Sequence, residues 1–208
     1  MLKTLALAGM VASLVVPSAQ ADDLAPPSGK VTVSVQTING SGCPAGSASV
    51  DTNSDNTSFY VEYDKYVARD GGGAQPTEMR RNCQLSLLVN VPQGFTYAIA
   101  RADYRGDLHL ARGATAQQNA YYYFMGETPT AEVSTNFTGA RSGHWQTTSV
   151  VEAAALVYAP CGQKLALNVN TDLRVNAGDA EKHKNSISMN DSKGSLRTLF
   201  HFSWKRCH

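Results

Sequence analysis

The stretch DTNSDNTSFYVE, residues 51–62, carries side-chain oxygens at its first, third, fifth and twelfth positions. That is the spacing of a helix–loop–helix calcium loop. Such a loop needs glycine at its sixth position and an exit helix that swings the twelfth residue back to the ion. Asn56 stands at the sixth position, and Phe59, Val61 and Tyr63 alternate with Tyr60 and Glu62. Alternation reads as a strand, and along a strand Glu62 lies up to about 23 Å from Asp55. Calcium ligands sit within about 2.6 Å of the ion, so Glu62 cannot join the others. The reading is a hairpin turn; only a looser site of Asp51, Asn53 and Asp55 would remain. No metal and no cofactor is expected.

Two other clusters could do chemistry. In DYRGDLH, 103–109, Asp103, Arg105, Asp107 and His109 share one face of an extended chain unless Gly106 breaks it. An arginine fork beside carboxylates is a small binding site; the ordinary alternative is a surface ion-pair row worth about 0–1 kcal/mol per pair. In AYYYFMG, 120–126, Tyr121 and Tyr123 point one way, Tyr122 and Phe124 the other. One pair faces the core, and the other offers a platform on which sugar rings stack. An outward stripe of Asn168, Asn170, Asp172 and Arg174 suits sugar hydroxyls, and water equally well.

Nucleophile and metal signatures are missing. The five histidines, His109, His144, His183, His201 and His208, form no H-E-x-x-H, and neither a nucleophile elbow nor a phosphate loop occurs. Paired carboxylates remain available for glycoside hydrolysis, Asp64, Asp103 and Asp107 among them, but that chemistry needs a spatial separation of roughly 5–9.5 Å that sequence does not specify.

What positions these residues is a period of two. Val31, Val33 and Val35; Cys83, Leu85, Leu87, Val89 and Val91; Leu165, Leu167, Val169, Leu173 and Val175; and Leu196, Phe200, Phe202 and Trp204 each line one side of an extended run. Strands are expected at 31–38, 46–51, 57–63, 82–91, 95–103, 107–111, 119–124, 132–138, 144–151, 154–158, 164–176, 186–190 and 196–204. Turn residues separate them at 38–42, 92–94 and 190–195. No segment shows a helical period. Many short strands with regular turns argue an all-β fold, an antiparallel β-sandwich, jelly-roll-like or barrel-like.

The first 21 residues read as a secretory signal: Lys3, an apolar run from Leu5 to Val16, and an Ala19-Gln20-Ala21 cleavage site. That run is too short to span a bilayer, which needs about 20 residues. Residues 22–30 read as a flexible lead-in and 31–208 as a single domain. The chain has 18 basic and 17 acidic residues, and the signal removes one Lys and no acid. A balanced chain has no bulk field to draw it onto nucleic acid or anionic lipid, so neither nucleic acid nor membrane insertion is expected. Sequons at Asn39, Asn56, Asn136 and Asn190 carry sugar only in a eukaryotic host.

Cys43, Cys83, Cys161 and Cys207 all follow the signal, and in an exported chain they read as two disulfides. Four cysteines allow three pairings. Cys43–Cys83 and Cys161–Cys207 are favoured, the second because antiparallel strands at 164–176 and 196–205 would bring the start of one to the end of the other. A short strand at 186–190 weakens that argument.

Gly42-Cys43-Pro44, Asn82-Cys83-Gln84-Leu85, Asp103-Tyr104-Arg105-Gly106, Tyr122-Tyr123-Phe124, Pro160-Cys161-Gly162 and Trp204-Lys205-Arg206-Cys207 together resemble the domain of unknown function 4360 family of small secreted bacterial and fungal proteins. The resemblance runs from about Val31 to Cys207. It implies a secreted single domain with two disulfides, extracellular or periplasmic, and no activity. The expectation is a non-catalytic β-sandwich that binds polysaccharide or a cell-envelope component. The alternatives are a paired-carboxylate glycoside hydrolase and an effector or inhibitor acting on another protein.

Overall fold

The computed structural model describes residues 25–127, 131–189 and 197–207. The signal at 1–21, the start of the lead-in, the turn at 190–195, Leu196 and His208 lie outside them. Twelve strands follow in order: β1 (Thr32–Asn39), β2 (Ala48–Thr52), β3 (Ser58–Tyr63), β4 (Val67–Asp70), β5 (Arg80–Asn90), β6 (Phe95–Leu110), β7 (Thr115–Phe124), β8 (Ala131–Thr138), β9 (Arg141–Val150), β10 (Ala166–Asn176), β11 (Asn185–Ser188) and β12 (Thr198–Arg206). They form a five-stranded sheet, β1-β5-β10-β7-β8, and a second sheet, β2-β3-β12-β6-β11-β4, with β9 also paired to β6. Every described strand pair is antiparallel.

The period of two is the reason. On β5 the residues Cys83, Leu85, Leu87 and Val89 are buried, and on β10 Leu167, Val169, Leu173 and Val175 are. Facing them from the second sheet, Phe59, Phe200, Phe202, Tyr97 and Trp204 pack ring against ring. Tyr122 of β7 meets Phe200 of β12 edge-on at 6.2 Å, so aromatic contacts span the two sheets.

The disulfides are Cys43–Cys83 and Cys161–Cys207. The second pairing is as expected, but its reasoning is corrected: β10 and β12 lie in different sheets, so this bridge ties one sheet to the other. The runs 95–103 and 107–111 are one strand, β6. Gly106 does not break it. A Cβ there would sit 1.7 Å from the Ser188 carbonyl oxygen and 2.8 Å from the Trp145 ring, so the missing side chain lets β11 and the indole close onto β6. The segment 154–158 is no strand. Ala153–Ala155 form a short 3-10 turn with none of its residues buried, because three successive alanines present no oily side to either sheet. The four-residue strand β4 was not anticipated; it is too short to show a period.

Residues 51–62 form the expected hairpin, with Thr52 opposite Phe59 and Ser49 opposite Glu62. The Asp55 carboxylate accepts from the Thr57 amide at 3.0 Å and from the Thr57 hydroxyl at 2.8 Å. Those bonds hold its pKa below the usual carboxylate value. Asn56 takes the left-handed φ of 57°, which asparagine tolerates better than most residues. Its side-chain amide donates to the carbonyls of Pro27 and Gly29, and the Trp204 indole donates to its carbonyl at 3.0 Å. Asn56 thus clasps the lead-in to the last strand, and its committed amide nitrogen has no room for a sugar.

Candidate functional site

Outward residues of the five-stranded sheet fall into rows that cross the strands. Tyr121 on β7 lies opposite Asn170 on β10 and Glu132 on β8, and Asn170 in turn lies opposite Gln84 on β5. Asn119 lies opposite Asp172 and Ser134, and Asp172 opposite Asn82. Gln117 lies opposite Arg174 and Asn136, and Arg174 opposite Arg80. All of these residues but Asn136 line a surface depression of about 400 Å³.

Tyr121 and Tyr123 head the lattice. Their rings stack with centroids 6.3 Å apart and planes 12° apart. Tyr121 is 36% exposed while Tyr122 and Phe124 are buried, so the chain sorts its four aromatics by the pleat. Beyond the tyrosines the floor is hydrogen-bonded amide. Asn119 donates to Gln117 at 3.1 Å, and Gln117 donates to Ser134 and to Asn136, each at 3.2 Å. Asp172 closes the far end: Arg80 Nε approaches one of its oxygens at 2.5 Å and Arg174 Nε the other at 2.6 Å. The stripe Asn168, Asn170, Asp172, Arg174 is less open than alternation implies, since Asn170 and Asp172 are buried between the side chains of β5 and β7. A second cavity of about 590 Å³ adjoins along Arg80, Gln117 and Arg174 and is floored by Ala116, Phe137 and Val175.

Asp103, Arg105 and Asp107 stand on β6, in the other sheet, and share no site with the tyrosines. Each meets a different partner. Asp103 is almost completely buried and accepts from Thr148 at 2.7 Å, Arg101 at 2.9 Å and His201 at 3.1 Å. Arg105 donates to Gln146 rather than to a carboxylate. Asp107 pairs with His144, and His109 bonds Ser142. This is a cross-strand row along β6 and β9, whose members stabilise a sheet face. Among the described residues no group of three or more His, Cys, Asp or Glu could hold a metal ion.

Burial opposes the charge of Asp103, but its hydrogen bonds from Thr148, Arg101 and His201 outweigh burial and lower its pKa. A lowered folded-state value means the carboxylate contributes stability above its unfolded pKa of about 3.9, lost as pH falls through the folded value. Asp103→Asn should therefore cost about 1–3 kcal/mol at pH 7. Melting curves from pH 7 to pH 2 check this: the gap between wild type and variant should shrink only in the acid range.

Sequence reasoning placed the tyrosines and the β10 stripe but passed over Arg80, Gln84, Gln117, Asn119 and Glu132. The alternation of Gln117, Asn119, Tyr121 and Tyr123 along one strand was the available signal.

The molecule is thus of the class of two-sheet, all-β proteins closed by two disulfides, with one polar and aromatic sheet face open to solvent. The chain belongs to the family described as Domain of unknown function (DUF4360), whose model matches residues 29–207. An "Uncharacterized secreted protein" of Arthroderma benhamiae is 34% identical over 184 residues, which span 88% of this chain and 74% of the relative. With that relative and both disulfides closed, this chain is a secreted protein. Among solved structures it is similar to TmCBM61 in complex with beta-1,4-galactotriose, at 11% identity and a TM-score of 0.26, covering 85% of this chain and 88% of that one. It is also similar to the enzymatically active domain of tailspike protein 4 of bacteriophage CBA120, at 10% identity and a TM-score of 0.26, covering 82% of this chain and 19% of that one. Among the described residues no helix is long and apolar enough to cross a membrane.

Proposed function

We propose that the outer face of the five-stranded sheet binds extracellular polysaccharide without cleaving it. The observation that carries this reading is Tyr121, exposed at the head of a groove floored by amides, with the half-buried ring of Tyr123 parallel beside it. Sugar rings bury their apolar faces on such a platform, and amide side chains offer both donors and acceptors to hydroxyls. Because the floor amides already bond one another, the groove is ordered before a ligand arrives, which lowers the cost of binding.

The test is retention on insoluble chitin, cellulose and peptidoglycan, followed by titration against whichever polymer retains the protein. Tyr121→Ala combined with Tyr123→Ala should weaken binding about tenfold or more without moving the melting temperature by more than a few degrees. Retention by none of the polymers, or equal binding by the double variant, would count decisively against the reading.

A further inference from the structure

We propose that the polysaccharide is acidic, and that Arg80 and Arg174 bind a carboxylate carried on a sugar ring at the end of the groove away from the tyrosines. This rests on the reading just given and names its ligand class. Arg80 and Arg174 lie directly opposite each other on β5 and β10. Like charges so placed repel, and Asp172 offsets the repulsion by taking the Nε of each. Arginine has five N–H donors in a fixed fork. With each Nε committed, the terminal amino groups of both side chains donate to no described residue.

Exposure decides what a ligand meets. The Arg80 and Arg174 side chains are 60% and 52% exposed, whereas the Asp172 side chain is 11% exposed. The shared carboxylate is shielded and spent; two open guanidinium ends remain, with one net positive charge across the three groups. Glu132 does not cancel it, because it lies opposite Tyr121, two rows away. Paired planar forks match the geometry of a carboxylate better than that of a point charge. Outward residues on one strand are spaced by about 7 Å, so Gln117, beside the clamp, lies about 14 Å from Tyr121. A carboxylate at the clamp and a ring on Tyr121 therefore belong to different units of one polymer.

Affinity electrophoresis of the wild-type protein in polygalacturonate, alginate and hyaluronan, each against its own methyl ester, tests this. Esterification removes the charge and leaves the sugar backbone. The best-bound free acid should bind about tenfold or more tightly than its ester, and Arg80→Gln with Arg174→Gln should bring that ratio to about one while Tyr121→Ala leaves it high. The wild-type comparison does not depend on the variants folding. Equal binding of acid and ester would overturn the inference and leave the tyrosine platform standing. Equal binding of dextran sulfate would overturn the carboxylate assignment, and binding to no polymer, acidic or neutral, would overturn both.

Discussion

Serine at both Cys43 and Cys83 should lower the free energy of unfolding by about 4 kcal/mol, a large part of the roughly 5–15 kcal/mol that holds a domain together. The two residues are 40 apart in sequence, and a cross-link of that span removes much of the freedom of the unfolded chain. The local setting adds to this. Cys43 and Cys83 are buried; Cys43 lies in the connection where the chain leaves β1 in one sheet for β2 in the other, and Cys83 lies on β5. Gly42 lies under the ring of Tyr66, so closely that a Cβ would come within 2.2 Å of it. The Tyr66 hydroxyl accepts from Thr171 at 3.0 Å on β10. Releasing the bridge frees the crossing and leaves a buried gap. The Cys161–Cys207 loop is of similar span, 46 residues, but Cys161 is exposed and Cys207 half-buried. Urea unfolding of the two double variants should show the larger loss at Cys43 and Cys83. A larger loss at Cys161 and Cys207 would contradict the burial argument.

Phe200→Ala should cost about 3–5 kcal/mol. The ring is wholly buried, lies parallel to Phe59 at 4.9 Å, and meets Tyr104 at 6.1 Å and Tyr122 at 6.2 Å edge-on. Those neighbours belong to β3, β6 and β7, so one ring joins three other strands from both sheets. Alanine leaves a void that the rigid rings around it cannot fill. Phe200→Leu keeps most of the volume and should cost less than half as much. A loss below about 1 kcal/mol for the alanine variant, in the same urea measurement, would mean that the core collapses onto the gap. Tyr122 lies between Tyr121 and Tyr123 in sequence, so Phe200→Ala should also loosen the platform outside.

The alternation that buries Leu85 and exposes Gln84 is local and needs no knowledge of partners, which is why most of the strands, and the split of Tyr121 and Tyr123 from Tyr122 and Phe124, were legible from residue order. Which strand lies beside which is decided by contacts far apart in sequence. That is why β10 and β12 were expected side by side and are found in different sheets. It is also why Arg80, Gln117 and Asn119 attracted no notice: each is an ordinary polar residue until the register sets it against Arg174, Asn136 or Asp172. Asp103, Arg105 and Asp107 were readable as a row but not as three separate partnerships, since Thr148, Gln146 and His144 come from β9.

Asn136 ends the row of Gln117 and Arg174 where the groove meets the second cavity, exposed beside Gln117, and the residues after it are Phe137 and Thr138. A cell that decorates such triplets would plant a branched antenna at the rim of the depression and mask it. Material for ligand screens is therefore best produced in bacteria, where that asparagine stays bare.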